Sequence, residues 1–301
     1  MELLNEKFAL KTGKNHLCFT KGKGGIPIID IKNKYATAII SLQGAHVLSW
    51  IPEGEEEVIW LSEDASFKSG KSIRGGIPIC WPWFGGHKTI KHFPAHGFAR
   101  TTLWEMICTE ALDDGRTRVT FTTQPQADND DMWPPETTVQ YQVTIGKKLE
   151  MELVTHNNGS EPIIIGQALH SYFNVGDVSK VLLHGLDDTD YLDKLENFRL
   201  KVQHGPVYIN EEVDRIYVDT VRECVIEDKT LKRNIIINKC GSRSTVVWNP
   251  WIETANKMGD LGEEGYKKML CVESSNAAED VVTIEPGKGH HLWVQYQIQK
   301  N

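Results

Sequence analysis

The fold class is decided by the stretch Leu292-Trp293-Val294-Gln295-Tyr296-Gln297-Ile298-Gln299. Successive residues of a β-strand point to opposite faces, so this run places four apolar side chains on one face. Trp293 and three glutamines lie on the other face. This alternation predicts a half-buried antiparallel strand. The same period of two recurs at 119–122, 139–143 and 149–153.

Residues that favour tight reversals separate such runs, at 113–115 (Asp-Asp-Gly), 157–159 (Asn-Asn-Gly) and 286–287 (Pro-Gly). No long stretch has the period of an α-helix, and 256–265 allows at most one short helical turn. Many short strands joined by turns indicate an all-β protein. We therefore predict a large antiparallel β-sandwich or barrel with few short helices, formed by residues 1–301 as a single domain.

Two further features concern the interior of the protein. The run Pro162-Ile163-Ile164-Ile165 is continuously apolar, which is typical of a strand buried on both faces. The six cysteines stand singly, without a CxxC pair, and several lie in apolar contexts such as Leu270-Cys271-Val272. We expect them to be free thiols that pack as small hydrophobic residues.

The composition is that of a soluble globular protein, since 40% of the 301 residues are hydrophobic and 25% are charged. Lys and Arg number 33 against 41 Asp and Glu, so the formal net charge is −8, which argues against a general nucleic-acid binder. No window offers the roughly 20 continuous apolar residues of a membrane-spanning helix. The start of the chain lacks the features of a signal peptide. We therefore predict a monomeric cytoplasmic enzyme or binding protein without nucleic-acid or membrane partners.

The segment 73–85 places Arg74 directly before paired glycines, followed by prolines and tryptophans. Glycines allow the backbone to approach a ligand closely. A guanidinium held in an aromatic setting suits a carboxylate or a phosphate, through paired hydrogen bonds. An exposed arginine beside a core loop explains this segment equally well.

A second segment brings His96 and Arg100 within four residues of each other, across small and flexible neighbours. A surface loop is the plain alternative. His87 and His92 lie upstream, and the spacing of His92 and His96 is the one that binds zinc on a helix. Pro94 lies between them and disfavours a helix, so we predict no metal site.

Two ionisable residues lie in apolar runs. His170 could be a core residue with its hydrogen bonds satisfied, or an imidazole that burial has tuned for proton transfer. Glu273 ends an apolar run and needs a partner, because burial of an unpaired carboxylate is costly. A structural salt bridge and a catalytic base are both open interpretations. The pair Asp214-Arg215 indicates a loop ion pair, and 248–251 a packed turn.

Taken in order along the chain, these segments resemble the aldose 1-epimerase superfamily, and more closely its hexose-6-phosphate mutarotase (glucose-6-phosphate 1-epimerase) branch. The matching pieces are Gly44-Ala45-His46-Val47, Ile73-Arg74-Gly75-Gly76-Ile77-Pro78, His96-Gly97-Phe98-Ala99-Arg100, Leu169-His170-Ser171-Tyr172-Phe173, Asp214-Arg215 and Val272-Glu273. They extend from about residue 40 to the C-terminus, so the resemblance covers most of the chain.

The resemblance implies an all-β, galactose-mutarotase-like β-supersandwich, and a hexose 6-phosphate as the small-molecule partner. It implies that His170 is the general acid and Glu273 the general base. The positions that hold the 6-phosphate in the family are matched by Arg74 and Arg100, and those that line the sugar site by His96 and Asp214. At Ala95 the chain departs from some members of the branch, which carry a polar residue that contacts the ligand.

Interconversion of α and β anomers opens the hemiacetal, rotates about C1–C2 and closes the ring on the other face. A base takes the proton of the C1 hydroxyl while an acid protonates the ring oxygen, so no metal or other cofactor is required. Because Glu273 must start ionised, we predict that hydrogen bonds or a nearby cation offset its burial. Two arginines in an acidic protein favour a phosphorylated sugar over a neutral one.

Two other classes of protein are open alternatives. A non-catalytic sugar or sugar-phosphate binding module would use the same β-sandwich and tryptophans, but would not need both His170 and Glu273. A glycoside hydrolase typically needs two carboxyl groups about 5–9.5 Å apart. The sequence offers one prominent carboxyl paired with a histidine, which fits hydrolysis poorly.

Overall fold

The computed structural model describes residues 1–123, 130–134 and 136–300, and β-strands dominate them. The strands of this part of the chain are β1 Leu10–Thr12, β2 Asn15–Lys21, β3 Pro27–Lys32, β4 Ala36–Ser41, β5 His46–Pro52, β6 Ile79–Cys80, β7 Glu105–Ala111, β8 Thr117–Thr123, β9 Thr137–Ile145, β10 Lys148–Asn157, β11 Ile163–Ile165, β12 Gln167–Leu169, β13 Tyr172–Asn174, β14 Val181–His184, β15 Asp190–Asp193, β16 Arg199–Val202, β17 Val207–Tyr208, β18 Val213–Val218, β19 Cys224–Asp228, β20 Arg233–Cys240, β21 Ser244–Asn249, β22 Met269–Asn276, β23 Val282–Ile284 and β24 Gly289–Lys300. The α-helices are α1 Glu2–Phe8 and α2 Trp251–Met258. The predicted all-β class is confirmed.

The strands form sheets of five, nine, two and eight strands. The five-stranded sheet has the order β1-β2-β3-β4-β5, and the nine-stranded sheet the order β17-β14-β19-β20-β24-β10-β9-β8-β7. The eight-stranded sheet runs β16-β15-β18-β21-β22-β12-β6, with β13 paired to β22, and β11 pairs with β23. Paired strands run antiparallel in all four sheets, as predicted.

The alternating stretch that predicted the fold class lies in β24. Leu292, Val294 and Tyr296 are buried, whereas Trp293 and Gln295 are partly exposed. The buried face belongs to a core cluster that also contains residues of the five-stranded and eight-stranded sheets. The period of two therefore predicted both the strand and the face that it buries.

Tyr296 joins the two large sheets. Its ring meets Phe173 of β13 edge-on, with the ring centroids 4.9 Å apart. Its hydroxyl is hydrogen-bonded to the hydroxyl of Ser171, and both groups are buried. Two sheets that share a core across their inner faces form a sandwich, which confirms the predicted β-sandwich.

The interior differs from the sequence expectation at one strand. Ile164 of β11 is 67% exposed, so the apolar run 162–165 is not buried on both faces as predicted. The reason is that β11 pairs with β23 in a two-stranded sheet at the protein surface, not in the middle of a large sheet. The six cysteines are free thiols, as expected, and Cys80, Cys224 and Cys271 are buried.

Helix α2 begins directly after Pro250 and ends at Met258, and the next residue, Gly259, has a φ of 69°. A proline at a helix start and a left-handed glycine after its end are the usual boundary residues. The predicted helical turn at 256–265 therefore overlaps only the end of this helix, and α1 was not predicted. Neither helix is long and apolar enough to span a membrane, nor is any other helix in the described part of the chain.

The strand β22 carries Glu273 and sets its surroundings. All eight of its residues are buried, because β21 lies on one side of it and β12 and β13 lie on the other. Leu169 of β12 pairs with Ser274, and Tyr172 of β13 pairs with Cys271. Residues 170 and 171 separate β12 from β13, so this interruption lies beside Glu273.

Candidate active site

A cavity of about 280 Å³ opens at the interruption between β12 and β13. It brings together all six residues that the sequence analysis selected. The lining consists of Ser72, Arg74, Phe84, His96, Arg100, His170, Tyr172, Lys194, Asp214, Val246, Trp248, Met258 and Glu273. Residues from distant parts of the chain thus meet in one pocket of a size suited to a small polar ligand.

His170 and Glu273 are in direct contact in this cavity. Nε2 of His170 lies 3.3 Å from Oε1 of Glu273, and their side chains are 10% and 1% exposed. The imidazole of His170 is stacked on the ring of Tyr172, with centroids 4.9 Å apart and planes at 10°. Trp248 meets the same imidazole edge-on at 6.1 Å. The two ionisable groups are therefore held in a fixed, mostly apolar setting.

Burial dominates the ionisation of this pair. Removal from water raises the pKa of Glu273 well above its usual value, and the charges of Lys194 and Arg100 offset only part of the effect. Removal from water also lowers the pKa of His170 well below its usual value, and positive neighbours add to the shift. Both groups therefore favour their neutral forms in this arrangement.

Hydrogen bonds or a nearby cation were predicted to offset the burial of Glu273, and the structure supplies the cation but only a partial offset. Oε2 of Glu273 is buried and has no hydrogen-bond partner among the described residues, and Nδ1 of His170 is likewise without one there. The predicted nearby cation is present, because Lys194 and Arg100 both lower the pKa of the carboxyl, but burial outweighs them. Buried polar atoms without partners in a concave site are positioned to bind a polar ligand.

His96 is held in a single orientation by its neighbours. Its backbone has a φ of 67°, and its N–H donates to the carbonyl of Gly85 at 2.7 Å. The amide of Gly85 donates to Nδ1 of His96 at 3.4 Å, and Cys80 Sγ lies 3.4 Å from the same atom. Burial, with a contribution from Arg100, lowers the pKa of His96 to about 3. The ring is therefore neutral with its proton on Nε2, which makes it a hydrogen-bond donor to a ligand oxygen.

Arg74 is fixed by two hydrogen bonds. Its Nε donates to Asp260 Oδ1 at 3.0 Å, and its Nη1 donates to the hydroxyl of Tyr172 at 3.0 Å. The side chain is 24% exposed, so the alternative of an exposed arginine beside a core loop is wrong. These bonds use two of the five N–H donors of the guanidinium.

The turn that carries Arg74 depends on His46 and two glycines. Gly75 and Gly76 have φ values of 98° and 72°, and a Cβ at Gly76 would lie 2.2 Å from Nε2 of His46. That Nε2 donates to the carbonyl of Gly75 at 2.8 Å, and burial lowers the pKa of His46 to about 4, which keeps the ring neutral. The motif 44–47 therefore acts by shaping the turn beneath Arg74.

Arg100 lines the same cavity without a carboxylate partner. Its Nη2 donates to the carbonyl of Ala95 at 2.9 Å, so position 95 contributes its backbone here. Among the described residues, the ion pairs of this cavity join Arg74 to Asp260, Lys194 to Asp214 and His170 to Glu273, and none involves Arg100. The charge of Arg100 is therefore free to attract an anion.

Asp214 pairs with Lys194, a residue that the sequence analysis missed. Nζ of Lys194 lies 2.6 Å from Oδ2 of Asp214, while Oδ1 of Asp214 is buried and has no hydrogen-bond partner in the described part of the chain. The expected loop ion pair with Arg215 is wrong, because both residues lie in β18 and their side chains alternate between its faces. Arg215 instead covers the ring of Tyr191 at 4.9 Å.

The packed turn expected at 248–251 is also different in the structure. Trp248 lies in β21 and contributes to the cavity wall, whereas Trp251 is the first residue of α2. Tyr172 and Trp248 line the cavity, but the sequence did not predict either of them as a site residue. Lys194 and Asp260 have no sequence signal of their own, because the chain brings them to the site from a short 3₁₀ turn and from a loop.

The histidine cluster considered for zinc does not assemble. His92 and His96 do not share a helix, and the rings of His87 and His92 pack against Phe93 outside this cavity. The described residues contain no group of three or more His, Cys, Asp or Glu that could hold a metal ion.

Comparison with known proteins places the chain in a family. Residues 27–297 match the family described as aldose 1-epimerase. A protein of Escherichia coli K12 named "Putative glucose-6-phosphate 1-epimerase" is 37% identical over 277 residues, which cover 91% of this chain and 91% of that protein.

Solved structures show the same architecture. The crystal structure of a protein described as a "putative mutarotase (YeaD)" from Salmonella typhimurium superposes with a TM-score of 0.88 at 33% identity, covering 100% of this chain and 99% of that one. A galactose mutarotase-like protein from Clostridium acetobutylicum is 14% identical and superposes with a TM-score of 0.73, covering 96% and 99% of the two chains. The latter likeness concerns the fold alone, and it confirms the galactose-mutarotase-like sandwich.

Proposed function

The chain belongs to the aldose 1-epimerase family, and from this premise we propose that it is a hexose-6-phosphate mutarotase. It interconverts the α and β anomers of glucose 6-phosphate and related aldohexose 6-phosphates by acid–base ring opening. The observation that carries the proposal is the 3.3 Å contact between His170 Nε2 and Glu273 Oε1, in a cavity that also holds Arg74 and Arg100.

The contact between an imidazole and a carboxyl supplies both halves of the proposed reaction. Glu273 accepts the proton of the C1 hydroxyl, and His170 donates a proton to the ring oxygen as the C1–O5 bond breaks. After rotation about C1–C2, His170 takes its proton back from O5, and Glu273 returns a proton to the oxygen on C1. Each positioned group contributes typically about 10²–10⁴-fold to such a proton transfer.

The reactive form of the pair is the ionised one, and the cavity contains charges that favour the carboxylate of Glu273. Lys194 and Arg100 lower the pKa of Glu273, which opposes the effect of burial. Displacement of water by the sugar brings its hydroxyl groups to the unpartnered Oε2 of Glu273 and Nδ1 of His170. Hydrogen bonds to these atoms offset the cost of burying the ionised pair.

The proposed substrate is a phosphorylated sugar because the cavity presents cations in an acidic protein. Arg100 has no carboxylate partner among the described residues, and Arg74 keeps N–H donors beyond those that bind Asp260 and Tyr172. A phosphate dianion can accept from both guanidinium groups. The neutral His96 and the free Oδ1 of Asp214 remain for the sugar hydroxyls.

Anomer exchange measured by NMR on glucose 6-phosphate at equilibrium, with free glucose in parallel, tests the proposal. We expect the protein to accelerate exchange of the phosphate ester far more than that of glucose. If it binds the ester, as monitored by calorimetry, but leaves exchange at the rate of the buffer, a non-catalytic sugar-phosphate binding module is the correct function. Exchange that is equally fast for glucose would contradict the phosphate preference alone.

A further inference from the structure

Tyr172 contacts both Arg74, which is proposed to bind the phosphate, and His170, the proposed acid. Its hydroxyl accepts a hydrogen bond from Arg74 Nη1 at 3.0 Å, and its ring is stacked on the imidazole of His170 at 4.9 Å and 10°. The residue is only 2% exposed. One side chain thus contacts the group that would bind the phosphate and the group that would move the proton.

The surroundings of Tyr172 leave its ring little freedom to move independently. Trp60 is stacked on it with centroids 5.9 Å apart, and Trp248 meets it edge-on at 6.0 Å. Its backbone N–H donates to Gly76, and its carbonyl accepts from Trp60. In such close packing, a displacement of the hydroxyl is passed to the neighbours of the ring and not absorbed by empty space.

The positive charges in the cavity also link phosphate binding to the proton on His170. The positive charges of Arg74 and Arg100 disfavour a proton on His170, in addition to the larger effect of burial. A phosphate dianion bound to these guanidinium groups would neutralise them and so remove that part of the penalty. Phosphate binding would then assist the proton donor as well as hold the substrate, while Lys194 continues to lower the pKa of Glu273.

We propose that Tyr172 is a positioning residue that transmits phosphate binding at Arg74 to the imidazole of His170, so that the 6-phosphate raises kcat and not only affinity. This inference rests on the proposed function. Interactions with a remote part of a substrate accelerate a reaction when they are used to orient the reacting groups. The phosphate is therefore an activator that the substrate carries with it.

The experiment supplies the sugar and the anion as two separate molecules. Exchange of free glucose is measured by NMR with increasing phosphite, a dianion that resembles the phosphate group, at constant ionic strength and with an enzyme-free blank for each concentration. In the wild-type protein we expect phosphite to raise the rate saturably by roughly 10-fold, less than the 10²-fold that an ångström-scale misplacement of a group can cost.

Two variants test whether the hydroxyl of Tyr172 carries the effect of anion binding from Arg74 to His170. Tyr172→Phe keeps the ring and removes only the hydroxyl that accepts from Arg74, so phosphite should still compete with glucose 6-phosphate but should no longer activate glucose exchange. Asp260→Asn is the matched control, because it weakens the other anchor of Arg74 and leaves the contact with Tyr172. There, activation should persist at higher phosphite concentrations.

A second measurement covers the case in which phosphite binds too weakly to saturate. With glucose 6-phosphate as substrate, Tyr172→Phe should lower kcat by roughly 10-fold with little change in KM, whereas Asp260→Asn should mainly raise KM.

The outcomes distinguish this inference from the proposed function. Wild-type protein that exchanges glucose 6-phosphate but shows no activation by bound phosphite would overturn the inference and leave the function intact. The same holds if Tyr172→Phe is activated as strongly as wild type and keeps its kcat. Failure of the wild type to exchange glucose 6-phosphate would overturn the proposed function itself.

Discussion

Nε2 of His170 lies 3.3 Å from Oε1 of Glu273, and the register of three strands fixes this distance. β12 and β13 both pair with β22, and the interruption between them places the imidazole beside the carboxyl. Because β22 is buried along its whole length, the carboxyl lies in an environment that raises its pKa. The fold thus holds the proposed acid and base in contact with each other, with both side chains largely buried.

The first prediction concerns Arg100. Replacement by methionine removes a guanidinium that can bind phosphate and keeps much of the apolar stem. We expect KM for glucose 6-phosphate to rise by roughly 10- to 100-fold, because a hydrogen bond to a charged group is worth about 1.5–3 kcal/mol. Exchange of free glucose should change much less. Steady-state anomer exchange with both sugars measures the difference.

Arg118→Met provides the control for that variant, since Arg118 pairs with Glu110 on the strand pair β7–β8 and does not line the cavity. It should behave as wild type with both sugars. Equal losses with glucose and with its phosphate in Arg100→Met would contradict the assignment of Arg100 to phosphate binding.

The second prediction concerns Lys194 and the pH dependence of the reaction. Lys194 lowers the pKa of Glu273, so Lys194→Met should raise that pKa. If the ionised carboxyl is the base, the acidic limb of the kcat/KM profile should move to higher pH. Lys194→Arg keeps the positive charge and should leave the limb close to its wild-type position.

Because His170 and Glu273 titrate as a coupled pair, the limb reports the pair and not one residue. The direction of the shift is still set by the lost positive charge. A limb that moves to lower pH in Lys194→Met, or does not move, would show that Lys194 does not favour the ionised carboxyl.

The third prediction concerns acid stability. Burial lowers the pKa of His46 to about 4 in the folded protein, below its usual value of 6.5. Between these values only the unfolded chain takes up the proton, so stability is lost as pH falls from 6.5 towards 4. At pH 5 this single group should cost about 2 kcal/mol relative to pH 7.

His46→Gln isolates that contribution, because glutamine can still donate to the carbonyl of Gly75 but does not titrate. Urea unfolding of both proteins at pH 7 and pH 5 gives the loss of the free energy of unfolding on acidification for each protein. Comparison of the two losses isolates His46, because the other titrating groups are the same in both proteins. The wild type should lose about 2 kcal/mol more than the variant on acidification. An equal loss in both proteins would argue against a neutral, buried His46.

The fourth prediction concerns the turn beneath Arg74. Gly76→Ala places a Cβ 2.2 Å from His46 Nε2 and 2.7 Å from the carbonyl oxygen of Val47, at a φ of 72°. We expect a loss of at least about 3 kcal/mol in the free energy of unfolding, since the clash adds to the backbone strain.

Gly54→Ala is the matched control for strain alone. Gly54 has a φ of 77°, and apart from Gly54 and its two chain neighbours no atom of the described residues lies within 4 Å of the position of its Cβ. Its substitution should cost only about 1–2 kcal/mol. Equal losses in the two variants, measured by urea unfolding, would mean that the contact with His46 contributes nothing.

Much of the fold could be predicted from the sequence because strands carry a local signal. The alternation at 292–299 predicted both β24 and its buried face, since side chains of a strand alternate whatever lies around it. The apolar run 162–165 misled the prediction, because burial of its second face depends on neighbours that the run does not specify. Helix α2 had the boundary residues Pro250 and Gly259, but too few turns for a clear helical period.

Part of the candidate site could also be predicted, because some of its residues carry a local sequence signal. His170 and Glu273 stood out because each is an ionisable residue in an apolar run, and the resemblance to a family placed them together. Lys194 lies on a surface turn with ordinary neighbours in sequence, and Asp260 in a loop. Only the pairing of distant strands brings these two to the cavity, and no local pattern encodes that.

The pKa of Glu273 shows the same limit of sequence reasoning. An ionised Glu273 was expected to have hydrogen bonds or a nearby cation. Among the described residues Oε2 has no hydrogen bond, and burial outweighs the effect of the cations on the pKa. The sequence reveals that a carboxyl is buried, whereas the balance between desolvation and nearby charge depends on the geometry of the complete site.

The most direct test of the account is anomer exchange of glucose 6-phosphate by wild type, His170→Gln and Glu273→Gln at equal concentrations of folded protein. We predict rapid exchange by wild type and a loss of about 10²–10⁴-fold in each variant. Binding of the phosphate ester should persist in both variants, because Arg74 and Arg100 are unchanged. Exchange at the wild-type rate in either variant would contradict the assignment of the reaction to this pair.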